Sequence, residues 1–270
     1  MYGHPMDCAY FVSDLHISDP GDERALVFLN FLRALSKEAT RVPGQNLSPI
    51  PTRLYLVGDI FDLWVGSHSY FVEKYRLIVD AVRELVNNGV EVHFFEGNHD
   101  LYLKPFWEDH LGVIVHSGPI IETIAGIQVR IEHGDLMNQN DRGYLFLYSL
   151  LRSRWIEKTI LNLPSTLVRQ VGERASRASR KYTSTSKSIP VEGIKKMIHQ
   201  YAREKFKLEA FDLFISGHVH VQEDSYMQMD DNNFRVVNLG SWFDSPRAFV
   251  LTESAAHFIQ LTEGFESCTD

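Results

Sequence analysis

Only two cysteines occur in the 270-residue chain, Cys8 and Cys268, and they stand near opposite ends in no metal-ligand spacing. Neither a disulfide framework nor a thiolate zinc site is therefore expected. Long apolar runs are missing as well: no stretch approaches the 18 or so residues that a membrane-spanning helix needs. The opening "MYGHPMDCAYFVSDLH" has neither the basic start nor the apolar core of a signal peptide, so a cytoplasmic location is the expectation. Positive charge is scarce, with 27 Lys and Arg against 35 Asp and Glu, a formal net charge of -8. That balance argues against general affinity for nucleic acid. The scarcity is broken once. Between Arg152 and Lys187 nine basic residues face only Glu157 and Glu173, a basic island in an acidic protein. Internal repeats and low-complexity tracts are absent, and 44% hydrophobic content suffices for a sizeable core.

"CAYFVSDLH" reads as a strand, and residues 22–37 carry apolar side chains at helical spacing. Residues 41–53, rich in Pro, Gly and polar groups, read as an exposed loop. "RLYLVGD" is a second strand, "YRLIVDAVRELVNNG" a helix ending near Gly89, and "VEVHFFEGNHD" a third strand. The alternation predicts right-handed crossovers and a largely parallel sheet. Residues 118–135 then predict two strands about a turn at Ala125-Gly126. Residues 142–207 are mainly helical by periodicity, with a polar interruption at "RKYTSTSKSIP". "FDLFISGHVH" is a further buried strand, and "FRVVNLGSW" with "RAFVLT" is expected to close a second sheet.

Five of these apolar strands run into polar groups able to ligate metal: Asp14-Leu15-His16, Gly58-Asp59, Gly97-Asn98-His99-Asp100, His133-Gly134-Asp135 and Gly217-His218-Val219-His220. Each alone has an ordinary explanation, as a helix cap, a turn or a satisfied histidine. Five in order do not. Mn²⁺, Fe²⁺ and Zn²⁺ accept carboxylate, amide and imidazole ligands, and no thiolate is offered. Two ions roughly 3.5–4 Å apart need a bridging ligand, which a carboxylate such as Asp59 provides. Such a pair suits hydrolysis of a phosphate ester or anhydride.

The order D-x-H, G-D, G-N-H-D, H and G-H-x-H over residues 14–220 resembles the calcineurin-like metallophosphoesterase superfamily. The resemblance implies an α/β fold, a four-layer metallophosphoesterase sandwich of two mixed β-sheets flanked by helices. Residues 1–270 would form one domain, with 142–207 as an inserted helical lid. One ion would be held by Asp14, His16, Asp59 and His220, the other by Asp59, Asn98, His133 and His218. His99 would lie over the transferred phosphoryl group as transition-state stabiliser or acid, with Asp100 orienting it.

The flanks "FVSDLHIS", "LVGDIFDLW", "IEHGD", "NDRGY", "SKS", "GHVH" and "RVVNLGSW" are similar to the UDP-2,3-diacylglucosamine diphosphatase family of lipid A biosynthesis. That resemblance implies Mn²⁺-dependent cleavage of a pyrophosphate to UMP and 2,3-diacylglucosamine 1-phosphate. It also implies a substrate pocket using Asp141, Tyr144, Arg177 and Lys187. A lipid with two acyl chains needs an apolar shelter, since burying one CH₂ is worth about 0.8 kcal/mol. Residues 144–171 alternate large apolar groups with Arg and Lys, which suits either a lid over such chains or an amphipathic core helix with a solvated basic face. The lid reading adds peripheral contact with the anionic inner membrane surface. The family's best-known form has Arg where His99 stands. A related hydrolase of another nucleotide-linked or phosphodiester substrate, or a non-catalytic scaffold of the same fold, are the alternatives.

Overall fold

A computed structural model describes residues 7–41, 50–174 and 190–262. Its strands carry a two-residue alternation hidden inside continuous apolar runs. In β1 (Cys8–Val12), Cys8, Tyr10 and Val12 enter one apolar cluster while Ala9 and Phe11 enter another. The strand β2 (Arg53–Leu56) splits the same way, Leu54 and Leu56 against Tyr55. Both faces are covered, so no polar face is needed.

The first sheet has the order β13-β12-β1-β2-β4-β6. Here β4 is Glu91–Phe95, β6 Ile114–His116, β12 Arg247–Thr252 and β13 Ala256–Gln260. Strands β1, β2, β4 and β6 run parallel, and β12 and β13 join antiparallel. A small pair, β3 (Trp64–Val65) and β5 (Asp100–Leu101), lies beside it. Helices α1 (Glu23–Ala39) and α3 (Arg76–Asn87) cover the outer face, with α2 (Ser69–Lys74) and α4 (Lys104–Trp107) beside them. Asp22 starts α1 by accepting a hydrogen bond from the Ala25 amide at 2.8 Å.

The second sheet has the order β10-β11-β9-β8-β7, with β7 at Ile120–Ile124, β8 Ile127–Ile131, β9 Leu213–Ser216, β10 Glu223–Met229 and β11 Asn232–Asn238. Leu213, Ile215, Val237 and Leu239 face Phe11, Tyr55 and Phe249 of the first sheet. Phe214, Phe234 and Val236 face the other way, onto α8 (Val191–Leu208), whose Ile198, Tyr201 and Ala202 are buried there. Helix, sheet, sheet and helix give four layers. Three further helices are α5 (Arg142–Leu151), α6 (Arg154–Leu161) and α7, described over 165–174; α5 and α6 contain no buried residue, but Ile160 and Leu161 of α6 pack against the first apolar cluster, in which Val168 of α7 is buried. Among the described residues no helix is long and apolar enough to cross a membrane.

One expectation is corrected. "RAFVLT" closes the first sheet as β12, pairing Cys8 with Thr252 and Phe11 with Phe249. Its residues are apolar on both faces, Ala248 and Val250 toward the helices and Phe249 and Leu251 toward the second sheet, so its own pattern does not reveal which sheet it joins.

Candidate metal centre

Because β1, β2 and β4 run parallel, as do β8 and β9, all five end at one edge, where a twisted α/β sheet gathers ligands. Asp14 and His16 follow β1, Asp59 follows β2, Asn98 and His99 follow β4, His133 follows β8, and His218 and His220 follow β9. The loops after β1 and β2 run side by side, the Asp14 and His16 amides donating to the Gly58 and Asp59 carbonyls at 3.1 and 3.0 Å. Asp14, His16, Asp59, His218 and His220 all have left-handed backbone, φ from 46° to 70°. Non-glycine residues rarely adopt it, and such strain concentrates at functional sites. Gly97 is required for proximity, since a Cβ there would overlap the Asp59 carboxylate.

Among the described residues the side chains form three groups whose ligand atoms lie within 4.8 Å of one another: Asp14, His16 and His220; Asp59, His133 and His218; and His16, Asp59 and His99, which overlaps both. Asp59 belongs to the last two, its Oδ2 3.8 Å from His16 Nε2 and 3.5 Å from His133 Nε2. His16 Nε2 and His220 Nε2 are 3.0 Å apart, and His133 Nε2 lies 3.3 Å from His218 Nδ1 and 3.5 Å from Asn98 Oδ1. Asp14 Oδ1 and His16 Nδ1 are buried without a hydrogen bond of acceptable geometry. Lone pairs converging in a buried site, with orphaned atoms and no thiolate, are compatible with divalent metal binding.

Charge follows the same geometry. Burial works against ionisation of Asp59, but the imidazoles of His133 and His99 overcome it and hold the carboxyl well below its usual range. Burial would likewise lower His133, yet Asp59 raises it to about 10. His16 and His218 are lowered by burial to about 4, His218 also by the neighbouring His133. The cluster thus does not charge all its imidazoles together.

His99 shares the site, its ring 4.9 Å from that of His16 and its amide donating to Asp59 Oδ1 at 2.9 Å. The expectation that Asp100 orients this imidazole is corrected. His99 Nδ1 lies 2.8 Å from the Asp62 carbonyl, which can only accept, so Nδ1 carries the proton. The buried Asp100 carboxylate instead accepts from the Ile60 and Phe61 amides at 2.7 and 3.2 Å, bracing the loop that presents Asp59. Burial, followed by the nearby Asp59 charge, pushes its pKa well above the usual range.

Beside Asn98 and His99 a chamber of about 780 Å³ is walled by Leu63, Val65, Leu147, Leu151, Leu163 and Val168. Asp141 and Tyr144 also line it. Asp141 caps α5 by accepting from the Tyr144 amide at 2.9 Å, and the Tyr144 hydroxyl donates to Asp135 Oδ2 at 3.0 Å. Arg177 and Lys187 lie outside the described residues, as does Cys268. Arg152, counted in the basic island, is committed elsewhere: it pairs with Glu96 at 2.6 Å, lies over the Tyr148 ring and lines the chamber. Two contributors were not visible as site residues in the sequence: Asp62 acts through a carbonyl, and Phe243, whose ring stacks 5.5 Å from His16, stands in a tail with no ligand motif. Asp135, one of the strand-end groups singled out in the sequence, accepts from the Tyr144 hydroxyl nine residues on.

The model of the calcineurin-like phosphoesterases matches residues 9–222. The chain is 27% identical over 262 residues to a UDP-2,3-diacylglucosamine hydrolase of Nitrosococcus oceani, covering 92% of this chain and 93% of that protein. It is 25% identical over 255 residues to the enzyme of that name from Haemophilus influenzae, covering 94% and 98%. Among solved structures, an archaeal phosphodiesterase aligns over 94% of this chain and 99% of its own at 14% identity, with a TM-score of 0.45.

Proposed function

The chain belongs to the calcineurin-like phosphoesterase family of metal-dependent hydrolases, and from that premise we propose that it cleaves the pyrophosphate of UDP-2,3-diacylglucosamine to UMP and 2,3-diacylglucosamine 1-phosphate. The observation that carries this reading is the apolar chamber of about 780 Å³ lined jointly by Asn98 and His99 and by the leucines and valines of α5 to α7. A chamber of that size beside a polar reacting centre suits a substrate with a phosphate at one end and acyl chains at the other. The two relatives named for this hydrolase favour the same substrate.

In this reading Asp14, His16, Asp59 and His220 hold one ion, and Asp59, Asn98, His133 and His218 hold the other, with Mn²⁺ as the ion proposed. Bound there, two divalent ions supply charge stabilisation for a phosphate and an acidified water. The Asp62 carbonyl holds the Nδ1 proton of His99 and so orients the ring; with a second proton on Nε2, the imidazolium stabilises the departing phosphate oxygen or passes it that Nε2 proton, returning to the neutral Nδ1–H ring. Asp100 is a positioning residue for the Asp59 loop. Asp141 shapes the chamber mouth by capping α5, and Tyr144 is steered by Asp135. Residues 142–174 serve as the acyl roof, whereas α8 belongs to the core layer.

The outer side of that roof exposes Phe146 (71%) and Trp155 (84%) near the exposed cations Arg154 and Lys158. Interfacial aromatics among cations match an anionic lipid surface, the partner proposed for this face. His99, in place of the Arg of the lipid A family's best-known form, favours one second reading, hydrolysis of another nucleotide-linked or phosphodiester substrate. The test is Mn²⁺-dependent UMP release from UDP-2,3-diacylglucosamine beside UDP-N-acetylglucosamine. Cleavage of the diacylated compound alone supports the proposal; cleavage of a simple phosphodiester but of neither UDP-sugar selects the second reading.

A further inference from the structure

A pyrophosphate substrate that places acyl chains in the chamber must send its nucleoside out of the metal centre on another side. Of the exposed large apolar side chains among the described residues, only Phe243 has a recorded ring contact with the site histidines. Its ring lies 5.5 Å from His16, nearly parallel, and 6.2 Å from His220, and it is absent from the chamber lining. Yet it is 56% exposed.

Its position is built rather than incidental. The preceding Trp242 is buried, its indole donating to the Arg247 carbonyl at 3.0 Å and its amide to the Asp14 carbonyl at 3.2 Å. The Phe243 amide donates to the Ser241 hydroxyl at 3.2 Å, and that hydroxyl lies 3.3 Å from the Asp14 carbonyl. The Arg24 guanidinium sits 4.3 Å from the Phe243 ring centroid and is itself tied to the Leu15 carbonyl at 2.8 Å. The turn is thus tied to the backbone that presents Asp14, and it holds an aromatic ring in water beside the ligands, flanked by a cation. A preorganised aromatic with an adjacent positive charge is the chemistry that recognises a nucleobase next to its phosphate.

Resting on the reading of a nucleotide-linked lipid, we infer that Phe243, supported by Arg24, is the stacking platform for the nucleobase of the leaving nucleoside monophosphate. Stacking favours a base over none without choosing strongly among bases. The experiment is calorimetric titration of the Mn²⁺-loaded protein with UMP and, separately, with ribose 5-phosphate. The wild type is expected to prefer UMP by about five- to hundredfold, the range that base stacking commands. Phe243→Leu should erase that preference and Phe243→Tyr should keep it. Equal weakening of both ligands by Phe243→Leu would make the ring a shield for His16 and overturn the inference, as would a wild type without preference. If the wild type cleaves no UDP-linked lipid, the substrate proposal falls, while the UMP to ribose 5-phosphate ratio still decides the role of Phe243.

Discussion

Shortening the acyl chains of the substrate is the perturbation that reads the chamber most directly. Removing about two methylenes from each of the two chains withdraws roughly 3 kcal/mol of burial at about 0.8 kcal/mol per CH₂. Converted at about 1.4 kcal/mol per tenfold, that is about a two-hundredfold loss in kcat/KM. The chamber wall includes the half-exposed Leu147 and Val171, so part of each chain stays in contact with water. If half the area is covered, the loss falls to about fifteenfold. The reference state matters as much as the wall. Chains already inside a bilayer or micelle gain almost nothing on entering another apolar space, so the slope exists only for short-chain homologues below their aggregation limit. Mn²⁺-dependent UMP release from such a series measures it. A dependence flatter than about twofold across that change would refute the assignment, placing the acyl chains outside the chamber.

Other consequences can be checked separately. Asp59→Ala should remove at least one metal from the purified protein and cut turnover beyond the about hundredfold typical of losing an outer-shell partner, with circular dichroism unchanged; retained turnover would refute the shared-ligand geometry. Trp155→Ala together with Phe146→Ala should weaken sedimentation with anionic vesicles and leave hydrolysis of a soluble phosphodiester intact; unchanged sedimentation would reject that face as the membrane contact. His116 is lowered to about 4 by burial and then by His93, whose Nδ1 lies 2.9 Å from its Nε2. The unfolded chain therefore takes this proton first, so stability from this group is present above about pH 6.5 and declines as pH falls toward 4. His116→Gln in the metal-loaded protein should flatten the acid side of a Tm-versus-pH curve, and an unchanged slope would contradict the sign.

The convergence of Asp14, His16, Asp59, Asn98, His133, His218 and His220 was readable from the chain because each stands where an apolar strand stops, and parallel strands bring their ends together. Helix α1 and the alternation of helices and strands were readable through periodicity. What eluded that reading depends on contacts across the fold. Asp100 looks like a partner for the adjacent His99, but the strand pair β3 and β5 turns its carboxylate to the Ile60 and Phe61 amides. The strand β12 is apolar on both sides, so nothing in it distinguishes the two sheets. Phe243 belongs to no ligand motif, and only the return of the chain past Asp14 brings it to His16. The left-handed backbone at Asp14, His16 and Asp59 is equally invisible in composition, since none of these residues demands it.

The pairing of β1 with β12 has a consequence for how the molecule is made. Strand β1 sits in the middle of the first sheet, but one of its two neighbours is synthesised near residue 250. Until then the growing polypeptide presents the apolar edge of β1, with Ala9 and Phe11 unroofed, to chaperones or to other nascent chains. Such distant pairing also implies slow closure, because loop entropy must be overcome before the contact is rewarded. Asp14 meets His218 and His220 only when the loop after β9, some 204 residues further along the chain, also docks, so the capacity to hold ions should arise late in folding.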